Sequence, residues 1–153
     1  DLLHELIDLA GQVCQAEVRQ ELLQRQTTGS WNDCEQIARQ KTGSLFAFAA
    51  LAAAPAGETA LQQALKEAGF QLGTAYQLAD DLLDATADSA RMGKATGKDA
   101  ENNKATLVAL HGIDWARDQL DGLVSEAAEL LDRFGDRAKI LQSAALFVAR
   151  RDH

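Results

Sequence analysis

Proline is almost absent from this chain, and its scarcity constrains the fold more than any other feature of the sequence. Pro55 is the only proline among 153 residues. Because proline inside a helix removes a backbone donor and clashes with the preceding turn, long proline-free stretches permit long helices. Alanine and leucine, which both favour helices, supply much of the 46% hydrophobic content. With no strand-like alternation or internal repeat, the sequence predicts an all-α chain that forms one helical region over residues 1–153.

Apolar positions at helical spacing predict six helices along this region. Gly69 and Gly73 fall inside the third of them, where each costs roughly 1 kcal/mol relative to alanine. That cost is tolerable if the glycines let a neighbouring helix or a ligand approach closely. The predicted helices cover about 2–25, 32–54 with Asn32 or Asp33 as the N-cap, 58–87, 105–111, 114–134, and a last helix to about 150 with Asp136 as the N-cap.

The charge and cysteine content narrow the class of protein. A net charge of −8 provides no basic stripe for phosphates, so a general nucleic-acid binder is excluded. A phosphorylated small molecule is still allowed, because a metal ion can carry the positive charge. No apolar run reaches the roughly 18–20 residues of a membrane span. Cys14 and Cys34 form no C-x-x-C pair, which predicts reduced thiols and a cytoplasmic location.

Three aspartates stand together after a stretch that carries no charge from residue 68 to residue 79. On a helix, Asp80 and Asp84 share a face, and Asp81 lies about 100° round from Asp80. Like charges at this spacing destabilise a helix by roughly 0.2–0.5 kcal/mol. We therefore expect a hard divalent cation such as Mg²⁺ opposite them, which takes one or two carboxylates plus phosphate oxygens and waters. A solvated acidic face is the alternative.

Two further segments carry groups that suit a phosphate. Lys41 and Thr42 precede a long apolar run and offer an ammonium and a hydroxyl; the alternative is a surface lysine that covers apolar area with its stem. Residues 93–106 combine glycines, which allow close backbone approach, with lysines, which supply point charges. This segment lacks the pattern of a P-loop, and a solvated loop is the alternative.

In this order, the three segments resemble the trans-isoprenyl diphosphate synthases, also called polyprenyl synthetases. The aspartates are similar to the second of the family's two DDxxD motifs. The resemblance implies a helical bundle of the isoprenoid synthase type and a head-to-tail condensation of an allylic diphosphate with isopentenyl diphosphate. The matching residues are Lys41-Thr42 before Leu45-Phe46, Tyr76-Gln77 before Asp80-Asp81-x-x-Asp84, and Gly93-Lys94, Gly97-Lys98-Asp99 and Lys104-x-Thr106.

The resemblance also implies roles for individual residues. Lys41, Thr42 and Gln77 would be the catalytic residues, with Thr42 and Gln77 beside the reacting carbon, where their oxygens stabilise a developing allylic cation. Cationic side chains would contact the diphosphate, namely Lys41, Lys94 and Lys104. Carboxylates would form the Mg²⁺ site that bridges to the allylic diphosphate, namely Asp80, Asp81 and Asp84.

The sequence contains only part of the family's pattern. The first DDxxD motif, its arginine pair and the isopentenyl diphosphate site do not occur in it, so the chain resembles the C-terminal half of a synthase. We expect the chain alone to be inactive, the full-length protein to be active, and the chain to form a homodimer or associate with the missing N-terminal half. A non-catalytic helical regulatory subunit and a terpene cyclase are the alternatives. The aspartates and lysines together disfavour the first, and the lysine-containing segments disfavour the second.

Overall fold

A computed structural model describes residues 2–26, 30–92 and 107–150, and nearly all of them are helical, with no strand in those ranges. The all-α prediction is confirmed. The elements are α1 (Leu2–Gln26), α2 (Trp31–Ala38), a π-helical turn (Arg39–Gly43), α3 (Ser44–Ala52), α4 (Thr59–Met92), α5 (Leu107–His111), α6 (Ile113–Asp132), a 3₁₀ turn (Gly135–Ala138) and α7 (Lys139–Arg150).

Helix α4 is the element on which most of the other helices pack. It contacts α3 and α6 extensively, and α7 packs on both α4 and α6. Small and branched apolar side chains recur every three or four residues along α4 and α6, which gives each helix a continuous apolar stripe. The buried residues of these stripes are Leu72, Ala75, Leu78, Ala79 and Leu82 on α4, and Ala116, Leu120, Val124 and Ala127 on α6.

The two glycines of α4 allow α3 and the π turn before it to approach at backbone distance, so of the two expected neighbours, a helix or a ligand, the structure shows the helix. A Cβ on Gly69 would lie 2.6 Å from Ala47 Cα and 2.7 Å from the Phe46 carbonyl oxygen. A Cβ on Gly73 would lie 2.9 Å from the backbone nitrogen of Gly43. Any side chain at either position would therefore separate the helices.

The N-cap of the second helix is Ser30, so the prediction of Asn32 or Asp33 is wrong. Ser30 has extended backbone angles, and its hydroxyl accepts a hydrogen bond from the Asp33 backbone N–H at 3.3 Å. The Asp33 carboxylate accepts in return from the Ser30 backbone N–H at 3.2 Å, which completes a capping box. Hydrogen bonds from Ser30, with a contribution from Arg19, lower the pKa of Asp33.

The C-terminal helices also begin differently from the prediction. Asp136 does not cap the last helix, because it lies inside the 3₁₀ turn, and its carboxylate is 2.8 Å from Lys139 Nζ. Gly112 has a φ of 91°, a left-handed angle that separates α5 from α6 and places the start of α6 at Ile113. Helix α4 extends to Met92, five residues beyond the predicted end at residue 87.

Candidate functional site

Thr42, Gln77 and Asp81 form a hydrogen-bonded chain between the π turn and α4. The Thr42 hydroxyl donates to Gln77 Oε1 at 3.0 Å, and Gln77 Nε2 donates to Asp81 Oδ1 at 3.2 Å. All three side chains are half-buried. The structure therefore brings together three of the predicted site residues, which are separated by up to 39 positions in the sequence.

The π turn and the glycine contact bring Thr42 within reach of Gln77. The turn widens the helix over Arg39–Gly43, and such π segments occur frequently at functional sites. Directly beside it, Gly73 would place a Cβ 3.1 Å from the Thr42 carbonyl oxygen, so no side chain separates the two backbones here. One turn further along α4, Gln77 then lies opposite the Thr42 hydroxyl.

Lys41 is held by α1. Its Nζ lies 2.5 Å from Glu17 Oε2 and donates to Gln20 Oε1 at 2.8 Å. All the charged atoms of this contact are partly exposed, so the ion pair is a weak one. The contact of Lys41 with a diphosphate stays a prediction, and Glu17 would compete with that ligand for the ammonium.

Glu17→Gln is expected to tighten the binding of inorganic pyrophosphate about 1.4- to fivefold. The substitution removes the carboxylate that neutralises Lys41, and an exposed ion pair of this kind is worth about 0.2–1 kcal/mol. Calorimetric titration with pyrophosphate and Mg²⁺ at fixed ionic strength measures the change. Asp8→Asn, which removes one charge from an exposed position of α1, is the control, and an equal gain in that variant would contradict a specific competition at Lys41.

The other two predicted metal ligands lie on the same helix as Asp81. Asp80 is half-buried, Asp84 is exposed, and their spacing of four residues places them on one side of the helix. Among the described residues, no three His, Cys, Asp or Glu side chains converge as a metal site. Two carboxylates on one helix face nevertheless match the donor set of Mg²⁺, which completes its shell with phosphate oxygens and waters.

Three neighbours of this region were not predicted. Glu17 and Gln20 share a face of α1 by their spacing, but spacing alone does not reveal that Lys41 is their partner. Cys34 of α2 is half-buried against the core, and burial, with the charges of Asp33 and Asp81, raises the pKa of its thiol. Both Cys14 and Cys34 are free, in agreement with the prediction of reduced thiols.

Some predicted features lie elsewhere or outside the described residues. Lys94 and Lys104 belong to residues 93–106, which the structure does not describe. An apolar groove of about 770 Å³ lies between α3, α4 and α7, and none of the predicted site residues that the structure describes lines it. The polar site is therefore separate from this groove, whose walls include Leu45, Leu65 and Leu141.

Comparison with known sequences decides the family. The sequence profile of the polyprenyl synthetases matches residues 1–144. The chain belongs to the polyprenyl synthetase family. The sequence-based assignment is thereby confirmed, and the match includes all the segments on which it was based.

Curated relatives in the family are longer than this chain. An octaprenyl diphosphate synthase of Haemophilus influenzae is 34% identical over 130 residues, which cover 84% of the chain and 40% of the relative. A farnesyl diphosphate synthase of Bacillus subtilis is 29% identical over 161 aligned residues, which cover 99% of the chain and 52% of the relative. The chain thus spans about half the length of the curated relatives it matches. These relatives are named as synthases, so they give no support to a regulatory subunit.

Solved structures show that the fold is that of the isoprenyl diphosphate synthases. Geranylgeranyl pyrophosphate synthetase from Pyrococcus horikoshii superposes with a TM-score of 0.84 at 22% identity, over 98% of this chain and 58% of that one. A polyprenyl synthase from Caulobacter crescentus, in complex with calcium and isoprenyl diphosphate, gives a TM-score of 0.79 at 23% identity, over 99% of this chain and 59% of that one. Within the described part of this polyprenyl synthetase chain, no helix is long and apolar enough to cross a membrane.

Proposed function

We propose that the protein containing this chain catalyses chain-elongating prenyl transfer, the head-to-tail condensation of an allylic diphosphate with isopentenyl diphosphate. Family membership and the names of the relatives support this reaction class. The observation that carries the proposal is the series of hydrogen bonds from Thr42 through Gln77 to Asp81. Gln77 and Asp81 are on the same helix as Asp80 and Asp84. This arrangement combines side-chain oxygens with a neighbouring pair of carboxylates.

These groups match the charges that develop in the reaction. The allylic C–O bond breaks with both electrons leaving on pyrophosphate, and a cation forms at the allylic carbon. The double bond of isopentenyl diphosphate supplies the electrons of the new C–C bond, and loss of a proton from the adjacent carbon restores a double bond. Thr42 and Gln77 oxygens stabilise the cation, and Lys41 stabilises the negative charge on pyrophosphate. No protein nucleophile is required.

The proposal assigns Asp80 and Asp84 as the residues that would hold Mg²⁺, with Asp81 close by. When bound, Mg²⁺ neutralises diphosphate oxygens and supports departure of the leaving group. Lys94 and Lys104, which lie outside the described residues, are proposed from the sequence as further contacts of the diphosphate. The Caulobacter crescentus relative in complex with calcium and isoprenyl diphosphate supports a divalent cation and a diphosphate in this family.

We also propose that this chain acts with a second polypeptide surface, either another copy or a complementary synthase half. The sequence holds one of the family's two aspartate-rich motifs, and one motif supplies only part of a metal-diphosphate site. Helix α1 exposes large apolar side chains, with Leu3, Ile7 and Val18 each about 60% exposed. An apolar face of this kind favours burial against a partner.

Incorporation of radiolabelled isopentenyl diphosphate into extractable product tests the proposed reaction. Label is expected to enter product with the complete protein, an allylic diphosphate and Mg²⁺, and to be absent when the metal is chelated. The chain alone is expected to give no product. Product from the chain alone would contradict the need for a complementary surface, and no product from the complete protein with any allylic diphosphate of five to twenty carbons would contradict prenyl transfer.

A further inference from the structure

We propose that Asp81 is a positioning residue that sets the direction of the Thr42–Gln77 hydrogen bond, and so turns the lone pairs of the Thr42 hydroxyl towards the reacting carbon. This role differs from that of a metal ligand, which the sequence suggested for Asp81 together with Asp80 and Asp84. The inference rests on the proposed prenyl transfer, because the outward lone pairs matter only where a positive charge develops.

The donor-to-acceptor direction of these hydrogen bonds follows from the chemistry of a carboxylate. Ionised Asp81 can only accept hydrogen bonds, whereas the amide of Gln77 has one donating and one accepting end. The 3.2 Å contact between Gln77 and Asp81 must therefore use the donor, Nε2. This leaves Oε1 as the end of the amide that faces Thr42.

The hydroxyl of Thr42 is then committed as a donor. It carries a single proton, and at 3.0 Å that proton is shared with Gln77 Oε1. The remaining lone pairs of Oγ1 can act only as acceptors, which suits a developing carbocation and opposes a developing anion. With an asparagine at position 81, the Gln77 amide could turn over and donate to Thr42, and the hydroxyl proton would then point outward.

The backbone holds the hydrogen-bonded side chains Thr42, Gln77 and Asp81 in place. Gln77 and Asp81 are four residues apart on α4, so they lie one above the other on the helix surface. Gly73, one turn before Gln77, keeps the π turn that contains Thr42 in backbone contact with α4. Asp81 lies about 100° round the helix from Asp80 and about 60° from Asp84, and its Oδ1 is the atom that accepts from Gln77.

The side-chain amide resonances of Gln77 in the ¹⁵N-labelled chain test the orientation without any need for activity. Gln77→Met identifies these resonances by their loss. Asp81→Asn, an isosteric change, is expected to shift them by more than a linewidth. Asp84→Asn removes the same charge about 10 Å along the helix from Gln77 and is expected to leave them in place.

Thr42 provides a second measurement in the same experiment. Thr42→Val removes the hydroxyl and is expected to shift the Gln77 amide, whereas Thr42→Ser keeps the hydroxyl and is expected to retain the original position. Two results would overturn the inference that Asp81 orients the Gln77 amide. One is that the Gln77 resonances do not move in folded Asp81→Asn protein, and the other is that they move equally in Asp84→Asn protein.

Kinetics of the complete protein distinguish positioning from metal binding. Asp81→Asn is expected to lower kcat about 10- to 100-fold, less than the roughly 100- to 1,000-fold loss of a direct transition-state contact. The KM for the allylic diphosphate and the Mg²⁺ requirement should change less than about threefold, because ground-state binding is retained. A clearly raised Mg²⁺ requirement would instead identify Asp81 as a metal ligand and overturn the inference.

A double-mutant cycle completes the test. If Asp81 acts through Thr42, Asp81→Asn combined with Thr42→Val should lose no more activity than the more severe single variant. Losses that multiply would overturn the inference. An inactive wild-type protein would contradict the proposed function instead, and the Gln77 resonances would still decide whether Asp81 sets the direction of the chain.

Discussion

Gly69→Ala is expected to destabilise the fold by about 3 kcal/mol, at the upper end of the usual penalty for overpacking. The added methyl group would lie 2.6 Å from Ala47 Cα and 2.8 Å from Ala47 N, both backbone atoms that cannot rotate away. Helices α3 and α4 would have to separate to accept it. Thermal unfolding of the chain followed by circular dichroism should show a decrease of about 6–12 °C in Tm.

Gly122→Ala is the matched control for this prediction. Gly122 also lies inside a helix, α6, but it is exposed, and a Cβ there would meet nothing within 4 Å. The same substitution should therefore stabilise the protein by about 0.5–1 kcal/mol, because alanine favours a helix interior over glycine. Opposite signs at the two positions are the expected result. Equal changes in Tm would contradict a contact between α3 and α4 that depends on Gly69.

Sequence pattern predicted the helices because they leave a local signal, whereas for the glycines of α4 it left a neighbouring helix and a ligand as alternatives. Apolar spacing marks a helix face. A glycine inside a helix is a weaker signal, because Gly69 meets the backbone of α3 whereas Gly122 meets nothing within 4 Å. Helix ends were predicted less well. Ser30 and Asp33 are both suitable N-cap residues, and the choice between them depends on which one has extended backbone angles, a property of the folded chain.

The internal geometry of the site could be predicted only in part. Lys41-Thr42 and Gln77 were identified from the sequence, but the π turn over Arg39–Gly43 has no composition that sets it apart from an ordinary helix. Its position beside Gly73 depends on tertiary contact with α4. The sequence likewise assigned all three aspartates to one metal site, and it did not reveal the hydrogen bond between Asp81 and Gln77.

Asp80→Asn is expected to lower kcat/KM of the complete protein for isopentenyl incorporation about 100- to 1,000-fold, the scale of one direct transition-state contact. The substitution keeps the shape of the side chain and removes the charge that is proposed to hold Mg²⁺ against the diphosphate. The concentration of Mg²⁺ that gives half-maximal activity should rise as well. Asp118→Asn removes one charge from an exposed position of α6 and should change neither quantity.

The stability of the Asp80→Asn chain separates a functional role from a structural one. If Asp80 serves ligand binding and not the fold, loss of its charge should change the free energy of unfolding by no more than about 0.5 kcal/mol, the scale of one charge pair on a helix surface. A structural carboxylate in a half-buried position would instead cost about 1–3 kcal/mol on removal. If Asp80→Asn protein retains its stability and loses its activity, the Asp80 carboxylate serves ligand binding and not the stability of the fold. Full activity in Asp80→Asn protein at low Mg²⁺ would refute the assignment of Asp80 as a metal ligand.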